Sequence, residues 1–266
     1  MELTRRIVVR GGGDLATGIV QKFHRCGLPV VILETPFPTA IRRGAVLCEA
    51  VYEGVAQVEG MVCRKISRLD DAPRCWQAKE IPLLIDPQGA SIREIQPAAV
   101  IDAILARRNL GTTMDMAPVT IALGPGFTAG RDVHAVIETM RGHDLGRLIF
   151  QGCAMPNTGI PGTIAGKSTE RILRAPTAGT LRCYKKIGDV AACGEAVFAV
   201  DGHEVCAPFT GLLRGLLRDS LAVTKGLKAA DIDPRLSVDW RSISDKARCI
   251  GGAALEAYFY YYRAPN

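Results

Sequence analysis

Small and acidic residues at fixed spacing after an apolar run are where chemistry first becomes legible in this chain. Ile7-Val8-Val9 leads into Gly11, Gly13 and Ala16, which fill the pattern G-x-G-x-x-G/A, and Glu34 stands 21 residues after Gly13. In a strand–turn–helix unit this arrangement binds a phosphate-bearing ligand. The first glycine permits the tight turn, the second lets the backbone approach a pyrophosphate, and the small third residue lets the helix lie close to the strand. An acid at the end of the next strand accepts hydrogen bonds from a ribose. Asp14 competes with that chemistry, because an acidic helix cap occupies the same amides and adds negative charge. A capped turn without nucleotide is therefore the plainer alternative. Arg42 and Arg43, in TPFPTAIRR, suit either a second phosphate or solvent.

A second glycine segment follows another apolar run. Val119–Leu123 feeds Gly124, Gly126, Thr128, Gly130, Arg131 and Asp132, residues able to form an anion nest or merely a tight turn. His134 and His143 have the one side chain that titrates near neutrality, so they are acid/base candidates, with a structural role as the commoner outcome. Cys153 lies among small residues in GCAMPNTG and is a candidate thiol, inert unless its surroundings activate it. Gly162–Ser168 imitates a P-loop, yet three residues instead of four separate its glycines, Pro161 stands in place of the first glycine, and Pro176 cuts short a following helix. An NTPase is excluded on those grounds.

The elements that must position these residues alternate between strand and helix. Leu15, Ile19 and Phe23 recur at helical spacing, Gly27 closes that segment, and Val30–Leu33 is a continuous apolar run typical of a strand buried on both faces. Helical stretches near Ala45–Glu53 and Ser67–Ala78 separate strand-like Met61–Ile66 and Ile81–Ile85, and Ala98–Leu105 precedes Arg107-Arg108. Such alternation argues for a mostly parallel sheet. Val133–Ile137 alternates with polar neighbours and favours a hairpin with Leu145–Gln151 across a turn at Arg141–Asp144.

Further along, Ala175-Pro-Thr-Ala-Gly-Thr-Leu-Arg182 returns 32 residues later as Ala207-Pro-Phe-Thr-Gly-Leu-Leu-Arg214, and Gly194 and Gly226 keep the same offset. Two interlocked β half-motifs follow, resembling the barrel-sandwich hybrid of biotinyl and lipoyl domains. The bend between the halves, Val200–Val205, carries no lysine, which disfavours a carrier role. The expected organisation is α/β: a Rossmann-like domain over 1–110, a glycine-rich continuation or bridge over 111–170, the β module over 171–236, and a C-terminal helix within 237–266 that packs on the body or on a second subunit of a homo-oligomer.

Composition bounds the rest. The chain has 266 residues, 48% apolar and 23% charged, with a net charge of +6 carried by no Lys/Arg run longer than a dipeptide. That spread argues against nucleic acid and fits a small anionic ligand. No apolar run reaches the length of a membrane span or signal sequence. Nine scattered cysteines with no C-x-x-C pair indicate reduced thiols in a cytoplasm and no zinc site.

Several segments together, VRGGGDLATG, ETPFPTAIRR, LGPGFTAGRDVHAVIETMRGHDLGR, NTGIPG, LRAPTAGTL with IGDVAACGE, and SDKARCIGGAALEA, resemble the YqeB-type accessory proteins of selenium-dependent molybdenum hydroxylases over most of the chain. The resemblance implies a cytoplasmic maturation factor whose partner is the apo-hydroxylase and whose ligand is a molybdopterin-type cofactor or its dinucleotide. It assigns no catalytic residues. The alternative class is an NAD(P)-dependent oxidoreductase using Gly11, Gly13, Ala16 and Glu34, with His134 as proton donor.

Overall fold

The computed structural model describes residues 5–263 and divides into two compact units. Unit 1 comprises Met1–Pro38, Val46–Asn157 and Ile243–Asn266; unit 2 comprises Thr39–Ala45 and Thr158–Ser242. Unit 1 is built on nine strands: β1 (Ile7–Arg10), β2 (Val30–Glu34), β3 (Val55–Val58), β4 (Met61–Ile66), β5 (Ile81–Ile85), β6 (Ala99–Asp102), β7 (Val119–Leu123), β8 (Ala135–Ile137) and β9 (Leu148–Ile149). Their order is β3-β4-β5-β2-β1-β6-β7-β8-β9. Neighbours from β4 to β8 run parallel, while β3 and β9 close the edges antiparallel. Every residue of β1, β2, β6, β7 and β8 is buried. Apart from Arg10, Glu34, Asp102 and Thr120, they consist of Val, Ile, Leu and Ala, as a strand covered on both faces requires.

The helices of unit 1 are α1 (Asp14–Arg25), α2 (Ala50–Glu53), α3 (Ala72–Gln77), α4 (Ile92–Ile95) and α5 (Asp245–Arg263). Leu15, Ile19 and Phe23 turn one stripe of α1 into the main core, and Gly27, at φ +75°, ends the helix in a conformation only glycine adopts freely. α1 and α5 lie in backbone contact on that same face. A Cβ on Gly18 would come 2.2 Å from the Ala247 carbonyl oxygen, and one on Gly251 would come 2.3 Å from that of Gly18. On the opposite face Val8, Val31, Leu33 and Val100 meet Ile92 and Ile95 of α4.

Unit 2 contains β10 (Ile172–Arg174), β11 (Gly179–Cys183), β12 (Val190–Ala191), β13 (Ala196–Val200), β14 (His203–Cys206), β15 (Gly211–Leu216), β16 (Ala222–Val223) and β17 (Lys228–Asp233). They form two antiparallel sheets, β10-β17-β15-β12 and β14-β13-β11-β16. The 32-residue repeat carries β11, β12 and β13 onto β15, β16 and β17, and β10 onto β14, so it also carries one sheet onto the other. Each sheet takes two strands from each half, and one core, including Leu181, Val197, Phe198, Leu213, Leu216 and Ile232, is shared. Neither half can bury its apolar face alone. The turn between halves, Asp201-Gly202, has φ of +47° and +83°, the left-handed pair of a tight hairpin.

The expected segment boundaries shift in two places. The stretch 111–170 is divided, its residues through Asn157 lying in unit 1 and those from Thr158 in unit 2, and α5 returns to unit 1. Thr39–Ala45 belongs to unit 2 because the Ile41 carbonyl accepts the Leu216 amide at 2.8 Å and Arg43 donates to the Leu216 carbonyl at 2.8 Å. Contacts this distant in sequence leave no local pattern. The mixed α/β class holds, with one large sheet and two smaller antiparallel ones.

Candidate functional site

Five parallel strands deliver their C-terminal ends to one edge of the large sheet, and in strand order this edge carries Glu34, Gly11–Gly13, Asp102, Gly124–Gly130 and Glu138. Direction of winding reverses between β1 and β6, the place where open parallel sheets form a ligand crevice.

At β1 the turn is closely fitted. Gly11 has φ +93°, and a Cβ there would stand 3.1 Å from the Ala103 carbonyl oxygen; a Cβ on Gly12 would stand 3.1 Å from the Cys48 nitrogen. The Glu34 carboxylate is buried in this turn and accepts the Gly12 amide at 2.7 Å with one oxygen and the Thr35 amide at 2.7 Å with the other. Burial pushes its pKa up, and the two amides oppose that shift. The Gly12 carbonyl accepts the Cys48 amide, and the Thr17 hydroxyl donates to the Gly13 carbonyl at 2.8 Å. Ala16 is buried in the main core, where its small side chain lets α1 approach the sheet. Gly13, not Asp14, is the N-cap of α1; no side chain caps it, and a Cβ on Gly13 would meet nothing within 4 Å. A phosphate-bearing group therefore has open approach at Gly13 and the uncapped helix start, while the Gly12 amide is already engaged.

Beside it lies a buried network. Arg10 donates to the Thr112 hydroxyl at 2.5 Å and to the Pro87 carbonyl at 3.1 Å, and Thr112 donates to Asp102 at 2.6 Å. Burial raises the Asp102 pKa against these contacts. The network ties the loops after β5 and β6 to the end of β1.

The β7 loop is organised differently. Asp132 accepts the Thr128 amide at 2.8 Å and pairs with the exposed Arg131 at 2.9 Å, which holds the Asp132 carboxyl below the usual range. Ala129 exchanges backbone hydrogen bonds with Gly152, bringing the 152–157 loop alongside. As a result the Thr128 hydroxyl stands 3.3 Å from the exposed Cys153 sulfur. Glu138, at the end of β8, secures this loop from below, its oxygens accepting the Met140 and Met155 amides at 2.7 Å each. Gly124 has φ +67°, and Gly130, at φ +80°, lies against the Phe150 carbonyl. Cys153 and Thr128 thus come together from segments 25 residues apart.

Other expected residues stand elsewhere. His134 is level with Thr120, whose amide donates to its Nδ1 at 3.0 Å; burial lowers its pKa, and Tyr261 donates to its carbonyl. By strand register it lies about three residues, ~10 Å, toward the opposite edge and three strand spacings from Gly11. It is not brought to the glycine turn. Arg42 and Arg43 belong to unit 2, where Arg42 donates to the Ser242 carbonyl and Arg43 to that of Leu216.

One residue carried no signal beyond its motif. Lys246, in the first turn of α5, is half-buried; burial and then Arg141 lower its pKa, against the charges of Asp14, Glu138 and Asp245. Asp245 itself pairs with Arg141 at 2.8 Å and is held well below the carboxylate range. A cleft of about 1500 Å³ is lined by Ile92, Arg93, Gln96, Met116, Tyr261 and Tyr262, with Ala98 and Val119 at the starts of β6 and β7. None of the glycine-loop residues lines it, so size alone does not mark the site. Among the described residues no group of three His, Cys, Asp or Glu side chains could hold a metal ion, and no helix is long and apolar enough to cross a membrane.

Fold and edge together define a mixed α/β protein with glycine turns and an exposed thiol gathered at the C-terminal ends of a parallel sheet. The chain is 49% identical over 252 residues to the protein described as "Uncharacterized protein YqeB" of Escherichia coli (strain K12). The match covers 94% of this chain and 47% of that protein, so the chain spans about half the length of the curated relative it matches. No protein-family model matches. Among solved structures, an aspartoacylase family protein from Mesorhizobium loti aligns over 87% of this chain and 85% of that chain, at 12% identity and a TM-score of 0.26.

Proposed function

We propose that the chain is a cytoplasmic accessory factor in the maturation of a selenium-dependent molybdenum hydroxylase, binding a molybdopterin-type cofactor or its dinucleotide and meeting the apo-hydroxylase. In this reading unit 1 is Rossmann-like and its ligand edge is the one described above. Unit 2 is a barrel-sandwich hybrid without its carrier lysine, a binding or scaffolding module. The observation that carries the reading is the exposed Cys153 sulfur standing beside the Thr128 hydroxyl of the β7 glycine loop. A polar glycine loop beside an exposed thiol suits a phosphate-bearing cofactor with labile sulfur or selenium. Gly13 and the uncapped start of α1 supply the second approach to phosphate, with Gly11 and Ala16 shaping the turn and Glu34 beside it.

Two measurements test the proposal. A thermal-shift comparison of molybdopterin dinucleotide with NAD, NADP and FAD should favour the molybdenum cofactor, since a ligand at 100 times its Kd adds about 2.7 kcal/mol. Stabilisation by NAD or NADP alone would overturn it in favour of the oxidoreductase class. Cys153→Ser should impair maturation of the hydroxylase; full maturation by that variant removes the cysteine from the mechanism.

A further inference from the structure

The loop after β6 occupies the point where the direction of strand winding reverses, and it is fitted between two glycines from different segments. On one side Ala103 and Ile104 lie where a Cβ on Gly11 would be, 3.1 Å from the Ala103 oxygen and 3.4 Å from the Ile104 Cα. On the other, a Cβ on Gly126 would come 2.7 Å from the Arg108 nitrogen and 2.8 Å from the Arg107 carbonyl carbon. Both glycines have positive φ, +93° and +112°. Part of the reason for glycine at these positions is therefore to admit the 103–108 backbone.

That backbone is itself unusual. Leu105 and Arg107 have φ of +61° and +60°, a region that non-glycine residues enter at a cost in free energy. Both ends of the loop are fastened: the Ala103 amide donates to the Arg10 carbonyl at 2.9 Å and the Ile104 amide to Asp102 at 3.2 Å. At the far end Asn109 accepts the Gly111 and Thr112 amides at 2.8 Å each. The result presents two adjacent exposed cations, Arg107 and Arg108, and among the described residues neither side chain has a hydrogen bond or an ion pair. Other arginines of the edge differ: Arg10 is buried in its network, Arg131 is paired with Asp132, and Arg141 with Asp245. A merely solvated pair of arginines needs no anchored, left-handed loop at a strand-order reversal. Guanidinium groups bind phosphate oxygens in a two-pronged geometry that suits this position.

We infer that the 103–108 loop is a phosphate-binding element, in which Arg107 and Arg108 hold the phosphate of a ligand lying across the β1 and β7 glycine turns. The inference deepens the ligand reading above by naming the cations that would recognise the phosphate. A nucleotide and a molybdopterin both carry that group.

The test is calorimetric titration of the full chain with inorganic pyrophosphate, which requires no hydroxylase. The variants are Arg107→Gly with Arg108→Ala, which also relieves the left-handed residue and so should not unfold the loop, and Arg107→Lys with Arg108→Lys. The first pair should weaken pyrophosphate at least tenfold while thermal unfolding stays in place; the lysine pair should retain part of the affinity. Unchanged affinity in the Gly/Ala variant, or no binding by the parent chain at 10 mM pyrophosphate, overturns the inference. Competition by AMP identifies the nucleotide as the source of the phosphate, and competition by molybdopterin but not AMP identifies the pterin. If the Gly/Ala variant loses pyrophosphate yet still matures the hydroxylase, the phosphate site stands and its use in maturation falls.

Discussion

The two glycine turns of unit 1 follow buried strands of the same parallel sheet, yet they are built in opposite ways. At the end of β1 the turn is held from inside: a buried Glu34 accepts two main-chain amides, Cys48 covers Gly12, and open space begins at Gly13. At the end of β7 the loop is held from its surface, by Asp132 with the exposed Arg131 and by the exchange with Gly152, and it exposes Cys153. A similar glycine pattern thus produces a rigid seat in one place and a chemically accessible surface in the other. What separates them is where the stabilising carboxylate sits relative to water.

Removing each carboxylate tests that contrast most directly. Glu34→Ala leaves the buried Gly12 amide and the half-buried Thr35 amide without acceptors and should cost about 2–4 kcal/mol in urea unfolding, at roughly 1–3 kcal/mol for a buried amide and less for a half-buried one. Asp132→Ala exposes the freed Thr128 amide to solvent and should cost about 1 kcal/mol or less. Equal costs would mean that the β1 turn is not held by its buried acid.

The pH dependence should run in opposite directions. Burial raises the Glu34 pKa from an ordinary value of 4.5, so its contribution to stability is present below that value and declines as pH rises through the folded-state value. The Arg131 contact lowers the Asp132 pKa from 3.8, so its contribution is present above that value and is lost as pH falls through the folded-state value. Comparing the parent with Glu34→Gln and with Asp132→Asn between pH 3 and 7 should give stability differences of opposite slope. Slopes of the same sign would show that Glu34 is not desolvated.

The smallest effect concerns the thiols at the two turns. Cys153 is exposed, whereas Cys48 is buried and its pKa is pushed well above 9.0 by that burial. Iodoacetamide at neutral pH should label Cys153 and leave Cys48 intact in the folded chain, as read by peptide mass spectrometry. Cys153→Ser should shift stability by no more than about 0.5 kcal/mol. Labelling of Cys48 would mean that the β1 turn opens.

Local chemistry was enough to mark much of the architecture in the sequence. Continuous apolar runs at Ile7–Val9, Val30–Leu33 and Val119–Leu123 become buried strands because a strand covered on both faces has no polar side to show. The 32-residue repeat marks two interlocked halves because the same turns and apolar positions must recur for each half to complete the other's sheet. The glycines, Thr128, Arg131 and Cys153 were all visible as residue types. Only the tertiary structure decided that Glu34 serves the Gly12 amide, that Cys153 meets Thr128, that Lys246 is half-buried, and that Thr39–Ala45 joins unit 2. Each of these depends on partners distant in sequence. A residue's partners, and therefore its burial and its charge, are set by chain segments that no local pattern identifies.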